Sequence, residues 1–392
     1  MVTCPLERSE SPLIVFAGGG TGGHLFPALA ISGALRNRLP GVRFVFFATQ
    51  RPIDARILAR TGCDLVQQTL PAIRRAPWRW LRMYLDFRRS SQLCRSRFRD
   101  DPPAMVVGTG GLGSVPAVRE AIHAGIPTAL LNPDAIPGRA NRYLADSVDV
   151  VFAQWEEAAS QLPRSAHVVV SGCAVRPEFN HASREAGIER FGLDASRKTL
   201  LITGASQGAR TVNEAVIANL AFLESHGNWQ VLHLTGDLDY RDVCEAYEAR
   251  SIRSSVLSFT DHVAEALGAA DLVIARAGAS TLAEITAVGR ASILMPYPYH
   301  KDNHQLANAR CLVRASAARI IHDKVDPIQN GPELRQVLEQ LLVDDEARSA
   351  MASAARRMGR GQAASQIADR IVGMAEARGT LPSMSSCTAI AR

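Results

Sequence analysis

The chain alternates between short unbroken apolar runs and longer stretches in which apolar residues recur at helical spacing. Unbroken runs suit strands buried on both faces, so the pattern predicts parallel sheets covered by helices. The first run opens residues 13–30, LIVFAGGGTGGHLFPALA, which reads as strand, tight loop and helix. Further strands are expected at residues 42–48, 105–107, 127–131, 148–153 and 168–171. At residues 172–177 the pattern breaks, and a polar stretch over 178–198 marks a domain boundary. The alternation then starts afresh at 199–203, followed by a helix through residue 223 and by strands at 231–235, 255–259, 271–275 and 291–295. Two α/β domains are therefore expected, 1–175 and 176–378, each a doubly wound, Rossmann-like sheet. From Pro332 onward the pattern is helical, with the last helix expected to pack back on the first domain. Residues 379–392 carry no periodicity and predict a disordered tail.

Several of the apolar runs end in small residues. Gly18, Gly19, Gly20, Gly22 and Gly23 precede His24, a second glycine loop spans 108–113, and a third small-residue loop spans 204–209. Such loops let backbone approach a ligand, and the amides opening the next helix suit an anion. His24 stands at one such opening, and Pro27 fits an early helical position. No Lys-Ser/Thr follows the glycines, so the first loop is not a P-loop. In open α/β sheets ligands sit beyond the carboxyl ends of the strands, where these loops gather. The residues alone leave open whether the first loop holds a dinucleotide, holds another anion or only connects two elements. The stretch 296–305, PYPYHKDNHQ, follows a buried strand and is dense in hydrogen-bonding side chains, which suits a polar ligand such as a sugar. Asp237-Leu238-Asp239 is too short a match to assign a metal, and none is assigned.

Composition narrows the picture further. At 392 residues and 47% hydrophobic content, disorder is excluded for most of the chain. A formal charge of +6 admits nucleic acid, acidic lipid or a phosphorylated substrate. The seven cysteines are scattered and form no C-x-x-C pair, which indicates neither a disulfide framework nor a zinc site and fits a reducing cytosol. No apolar run approaches the ~20 residues of a membrane-spanning helix, and Glu7 and Glu10 oppose a signal peptide. Residues 73–99 interleave arginines, among them Arg82, Arg88 and Arg89, with Trp78, Trp80, Tyr84 and Phe87. That mixture suits the interface of an anionic bilayer, and a core-facing helix with a solvated basic face fits the same periodicity. No nucleic-acid-binding module accompanies the patch, so nucleic acid is not expected as a partner.

Four motifs taken together carry a resemblance: Gly19-Gly20-Thr21-Gly22-Gly23-His24, residues 204–209, residues 278–284, and His304-Gln305 with Asn308. In this order and spacing they resemble the MurG glycosyltransferases, and the likeness runs from about residue 13 to about residue 370. The resemblance implies a GT-B fold of two Rossmann-like domains with the active site in the cleft between them. It implies inverting, metal-independent transfer of N-acetylglucosamine from UDP-N-acetylglucosamine to undecaprenyl-pyrophosphoryl-N-acetylmuramyl-pentapeptide, a step of peptidoglycan synthesis on which cell shape and division depend. No cofactor is implied. On the donor side, Ser206, Gln207, Gly208 and Arg176 would meet the diphosphate and Glu284 the ribose. Phe259 and Thr260 would read the uracil, while Ala279, His304 and Gln305 would face the sugar. On the acceptor side stand Thr21, Gly22, Gly23, Gly110, Gly111, Asn132 and Asn213, with His24 as general base and Asp134 as a second catalytic group. Trp78, Arg82, Tyr84, Arg88 and Arg89 would dock the protein on the cytoplasmic face of the cell membrane as a peripheral protein.

The chain departs from the family pattern on the acceptor side. Leu131-Asn132-Pro133-Asp134 stands where the family has His-Glu-Gln-Asn, and Leu112 replaces an aromatic in the second glycine loop. Asp134 is the carboxylate nearest the lost one. Two rivals follow: a GT-B transferase with another lipid acceptor, such as a diacylglycerol, and a non-catalytic UDP-sugar-binding protein.

Overall fold

The computed structural model describes residues 11–382 apart from 20–21, 60, 70–78, 205–207 and 300–301, with Ile53, Arg79 and Trp80 described by backbone alone. The chain divides into two compact units. The first comprises residues 11–133, 137–174 and 362–382, and the second residues 134–136 and 175–361. The second unit thus takes over at Val175, and the chain returns to the first at Gln362 rather than staying in the second to residue 378.

The first unit holds a seven-stranded parallel sheet built from β1 (Leu13–Gly18), β2 (Arg43–Thr49), β3 (Asp64–Gln68), β4 (Met105–Gly110), β5 (Thr128–Asn132), β6 (Val150–Ala153) and β7 (Val168–Val170), in the order β3-β2-β1-β4-β5-β6-β7. Alternate residues of β1 feed two cores. Ile14 and Phe16 pack with Ile31 and Leu35 of the helix Gly22–Arg36 and with Ile367 and Ile371 of the helix Ala363–Ala377. Leu13, Val15 and Ala17 pack on the other face with Cys94 and Phe98 of the helix Arg79–Asp100. Gly379–Leu381, expected to begin a disordered tail, instead returns to the core. Thr380 Oγ1 donates to the Ala104 carbonyl at 2.9 Å, and Leu381 is buried. Residues 383–392 lie outside the described set.

The second unit holds a six-stranded parallel sheet of β8 (Lys198–Thr203), β9 (Trp229–Leu234), β10 (Ser254–Leu257), β11 (Leu272–Ala275), β12 (Ser292–Leu294) and β13 (Ala318–Ile320), ordered β10-β9-β8-β11-β12-β13. The helix expected through residue 223 breaks in two, Arg210–Ile217 and Leu220–Glu224, where the Asn219 amide donates to the carbonyls of Ala215 and Gly331. The helical region expected from Pro332 begins earlier, at Pro327, behind Asp326, whose carboxylate accepts from Ile328 N at 2.9 Å. In each sheet the chain reverses its direction of strand addition beside the first strand, β1 against β4 and β8 against β11. That switch point opens a crevice where loops from neighbouring strands diverge. The fold is therefore a two-unit α/β architecture with one such edge in each unit.

Candidate functional site

In the first unit, β1 and β4 bring the two glycine loops side by side, with Gly18 opposite Gly110. Four of the described glycines there take positive φ: Gly18 (143°), Gly19 (136°), Gly110 (106°) and Gly111 (72°). A Cβ on Gly18 would stand 2.1 Å from Thr109 Oγ1, so close approach as well as conformation demands glycine. Beneath Gly19 the buried Asp54 carboxylate accepts from Thr49 N at 3.0 Å and Thr49 Oγ1 at 2.6 Å, and a Cβ on Gly19 would meet it at 2.7 Å. Gly22, Gly23 and His24 open the following helix. His24 Nδ1 lies 3.1 Å from the Gly19 carbonyl. A carbonyl only accepts, so Nδ1 carries the proton and Nε2 is left with its lone pair. A Cβ on Gly110 would stand 3.4 Å from Nε2, which puts the imidazole against the second glycine loop.

The other residues expected on this side have different surroundings. Asn132 is buried, and its Oδ1 accepts from Asn141 Nδ2 at 3.0 Å, so it holds a loop together inside the unit. Asn213 belongs to the second unit and is buried in a polar network there, rather than standing at the glycine edge of the first. Asp134 also belongs to the second unit. Its Oδ1 accepts from Asn308 Nδ2 at 2.8 Å, while Asn308 Oδ1 accepts from Ala135 N at 2.7 Å. A carboxylate in that position braces the helix His304–Arg314, and it does not share a unit with His24. Thr21 lies outside the described residues.

In the second unit, the described ends of the loop after β8 lie against each other. A Cβ on Gly204 would lie 2.2 Å from Ala209 N, and one on Gly208 (φ 74°) 2.3 Å from the Thr235 carbonyl. Ser206 and Gln207 lie outside the described residues, while Gly208 and Ala209 lead into the helix Arg210–Ile217. After β11, Ala279 opens the helix Ala279–Val288, which carries half-buried Glu284. Burial pushes the Glu284 carboxyl up to about 7; the Arg176 guanidinium opposes that rise and Glu178 adds to it. Arg176 pairs with Glu178 at 3.1 Å and lies over the Phe179 ring. Phe259 is exposed beside Thr260, whose hydroxyl accepts from His262 N at 3.0 Å. His304 Nδ1 meets Asp302 Oδ1 at 2.8 Å, and Gln305 Oε1 accepts from Tyr297 N at 2.9 Å, so both residues tie down the loop after β12.

Two buried clusters under this edge escape a reading of the sequence for motifs. Arg276, at the end of β11, donates to Asp323 Oδ2 at 2.7 Å, Thr211 Oγ1 at 2.6 Å and the Met295 carbonyl at 2.9 Å. It thereby ties together the ends of three strands and the first turn of the helix Arg210–Ile217. An arginine directly after an apolar run and before small residues is the signal that could have found it. The second cluster centres on His233, inside β9, where an apolar context hides it.

Along the helix Arg79–Asp100 the two halves differ. Asp86, Ser90, Cys94 and Phe98 form a buried stripe, while Leu81, Tyr84 and Leu85 near the start are exposed beside Arg82, Arg88 and Arg89. Arg88 lies over the Tyr84 ring at 5.8 Å; Trp78 lies outside the described residues. Among the described residues no helix is long and apolar enough to cross a membrane. A groove of about 800 Å³ in the first unit lies at the opposite edge of its sheet, where Asp149 and His167 precede β6 and β7; its acids are already paired, Asp149 with Arg378 and Asp369 with Arg38.

Comparison with known proteins gives a consistent picture. Residues 14–153 match the glycosyltransferase family 28 N-terminal domain, and residues 199–371 the family 28 C-terminal domain. A protein of Moorella thermoacetica named UDP-N-acetylglucosamine–N-acetylmuramyl-(pentapeptide) pyrophosphoryl-undecaprenol N-acetylglucosamine transferase is 37% identical over 354 residues, covering 88% of this chain and 95% of the relative. One of the same name from Chlorobaculum tepidum is 37% identical over 371 residues, covering 93% and 99%. The crystal structure of Acinetobacter baumannii MurG superposes with a TM-score of 0.73 at 24% identity, over 93% of this chain and 99% of that one.

Proposed function

The chain belongs to the family 28 glycosyltransferases, and on that premise we propose that it transfers N-acetylglucosamine from UDP-N-acetylglucosamine to undecaprenyl-pyrophosphoryl-N-acetylmuramyl-pentapeptide, with inversion and without a metal. The observation that carries the catalytic half is the His24 ring, whose Nδ1–H on the Gly19 carbonyl leaves Nε2 to take a proton. An acceptor hydroxyl oxygen attacks C1 of the donor sugar on the face opposite UDP, and its proton passes to His24 Nε2. The bond from C1 to the β-phosphate oxygen breaks, and its electron pair leaves with UDP. Positive charge for that leaving group comes from Arg176 and from the amides opening the helix Arg210–Ile217, beside Ser206, Gln207 and Gly208.

Glu284 takes the ribose hydroxyls in this reading, Phe259 and Thr260 the uracil, and Ala279, His304 and Gln305 the sugar. Thr21, Gly22, Gly23, Gly110 and Gly111 take the acceptor diphosphate, which their backbone amides suit. The exposed Leu81, Tyr84 and Leu85 beside Arg82, Arg88 and Arg89 support docking on an anionic cytoplasmic leaflet. Changing Arg82, Arg88 and Arg89 to Ser is expected to weaken binding to phosphatidylglycerol vesicles, roughly five-fold for each arginine near the surface. Undiminished binding in a flotation assay assigns this helix to packing alone.

One observation favours a second reading, a UDP-sugar-binding protein without turnover. Asn132 stands where the family carries a carboxylate, and it is buried against Asn141. Labelled UDP-N-acetylglucosamine supplied with the muramyl-pentapeptide lipid separates the possibilities. Disaccharide lipid is the expected product. Donor binding without product supports the second reading, and product only with diacylglycerol points to another acceptor.

A further inference from the structure

His233 lies within β9, between β8 and β10, at a position where a valine or leucine would meet the demand for an apolar core. It is fully buried, and burial pushes its imidazole down to about 3, so the ring is neutral at any working pH. Both nitrogens are engaged: Nε2 with Asn213 Oδ1 at 3.0 Å and Nδ1 with Tyr247 Oη at 3.2 Å. The proton positions follow from the groups that can only accept. Asn213 Nδ2 faces the Thr235 carbonyl at 2.9 Å and Asp239 Oδ2 at 2.8 Å, both acceptors, so this atom is the amide nitrogen and the oxygen faces His233. His233 Nε2 must then carry the proton, and Nδ1 must accept from the Tyr247 hydroxyl. A single assignment satisfies the chain Tyr247–His233–Asn213–Thr235.

The far end of this chain meets the donor edge. Thr235 and Gly236 form the turn after β9, and Thr235 N donates to the Leu257 carbonyl at 2.9 Å. Gly208 rests on that turn: a Cβ there would stand 2.3 Å from the Thr235 carbonyl and 2.8 Å from Gly236 Cα. A rotated Asn213 amide would present an oxygen to the Thr235 carbonyl and so disturb the turn on which Gly208 rests. The Thr235 and Asp239 acceptors hold the amide nitrogen in place, and His233 Nε2–H holds the amide oxygen from the other side. A buried polar network is tolerated only when every member is satisfied, and when satisfied it selects one arrangement.

We propose that His233 is a positioning residue for the donor's diphosphate, acting through Asn213 and the Thr235–Gly236 turn to hold Gly208 where its backbone can meet phosphate. The proposal rests on the reading that the loop after β8 binds the diphosphate of UDP-N-acetylglucosamine.

The test is calorimetric titration of the full chain with UDP and, separately, with uridine, which lacks the phosphates. His233→Phe keeps an aromatic ring in the strand and removes both hydrogen bonds, and His233→Gln restores a donor to Asn213. His233→Phe is expected to weaken UDP about ten-fold and uridine less than two-fold, and to raise KM for UDP-N-acetylglucosamine more than it lowers kcat. His233→Gln is expected to recover most of the UDP affinity. Equal losses for UDP and uridine, or no loss, overturn the proposal. Wild-type protein that binds UDP no more tightly than uridine overturns instead the reading of the loop as a phosphate site. Should His233→Phe not fold, Tyr247→Phe removes one hydroxyl only and is read the same way, with an expected loss for UDP of about three-fold; an unchanged ratio of UDP to uridine affinity then overturns the proposal.

Discussion

The two sheets carry the same device, a small-residue loop after the first strand at a topological switch point, yet what lies under each loop differs. In the first unit the described glycines rest on backbone, on the Thr109 side chain and on the Asp54 carboxylate, and the His24 imidazole is laid against them. In the second unit Gly208 packs on the Thr235 carbonyl, which Asn213 and His233 hold from below, and Arg276 and Asp323 tie down Thr211 in the helix that follows. Topology therefore decides where a ligand sits, and the buried polar residues below decide how firmly the loop is held. A rigid floor suits a nucleotide diphosphate, which must be met by several fixed donors at once. A loop of glycines with one imidazole suits a site where a proton is moved.

The largest effect is expected from removing the floor of the second edge. Arg276 is buried, and its partner Asp323 also accepts from Thr211, Asn330 and Val325. Burial alone would raise the Asp323 carboxyl, but the bonds from Thr211 and Arg276 outweigh it and hold the carboxyl below the usual range. Arg276→Met leaves that carboxylate buried with its cation gone, a change that costs about 3–5 kcal/mol. Denaturant unfolding followed by fluorescence should show it, together with weaker UDP binding. Loss of less than 1 kcal/mol would mean that the second edge is no more firmly held than the first.

His24→Ala tests the other side of the comparison. Turnover is expected to fall about 10²–10⁴-fold, the usual contribution of a positioned general base, while UDP affinity changes less than two-fold. Steady-state rates with the muramyl-pentapeptide lipid and calorimetry with UDP measure the two quantities separately. An unaltered rate removes His24 as the base and leaves it as the residue that shapes the glycine loops. A loss of UDP affinity equal to the loss of rate would erase the division of labour between the edges.

The same contrast explains what could be read along the chain. The central strands β1, β4, β8 and β11 are buried on both faces and so appear as unbroken apolar runs. The edge strands β3, with Asp64 and Gln67 turned to solvent, and β13, three residues with Arg319 exposed, lack that run and carry no such signal. Glycine loops advertise themselves because few other residues tolerate their backbone angles. The floor does not, since His233 and Asn213 act through partners brought together by folding, across sequence separations of 14 to 26 residues. Asn132 and Asp134 show the same limit, since the side chain of each meets an asparagine brought near by folding, Asn141 in one case and Asn308 of the helix His304–Arg314 in the other. Leu381 belongs to the same lesson, since a lone leucine in an unpatterned stretch gives no hint that it closes a core.

The smallest expected effect, and the one that links stability to binding, concerns Glu284. Its carboxyl is raised from 4.5 to about 7, chiefly by burial, so between these values the folded protein holds a proton that the unfolded chain has released. The folded state therefore binds more protons in this window, and stability falls as pH rises through it; above about 7 the cost is borne in full. Glu284→Gln should remove that cost, raising stability by ~1–3 kcal/mol at pH 8 and by little at pH 4.5. The substitution should also weaken UDP, because a neutral amide accepts ribose hydroxyls less strongly than a carboxylate. In the native protein UDP affinity should accordingly rise from pH 6 to pH 8, as the carboxylate forms, and in the variant it should stay flat. A variant that gains no stability at pH 8 would show that the carboxyl is better solvated than its burial implies. A variant that gains stability yet keeps both the affinity and its pH dependence would move the ribose contact to another residue, and with it the argument that the second edge is held rigid in order to read a nucleotide.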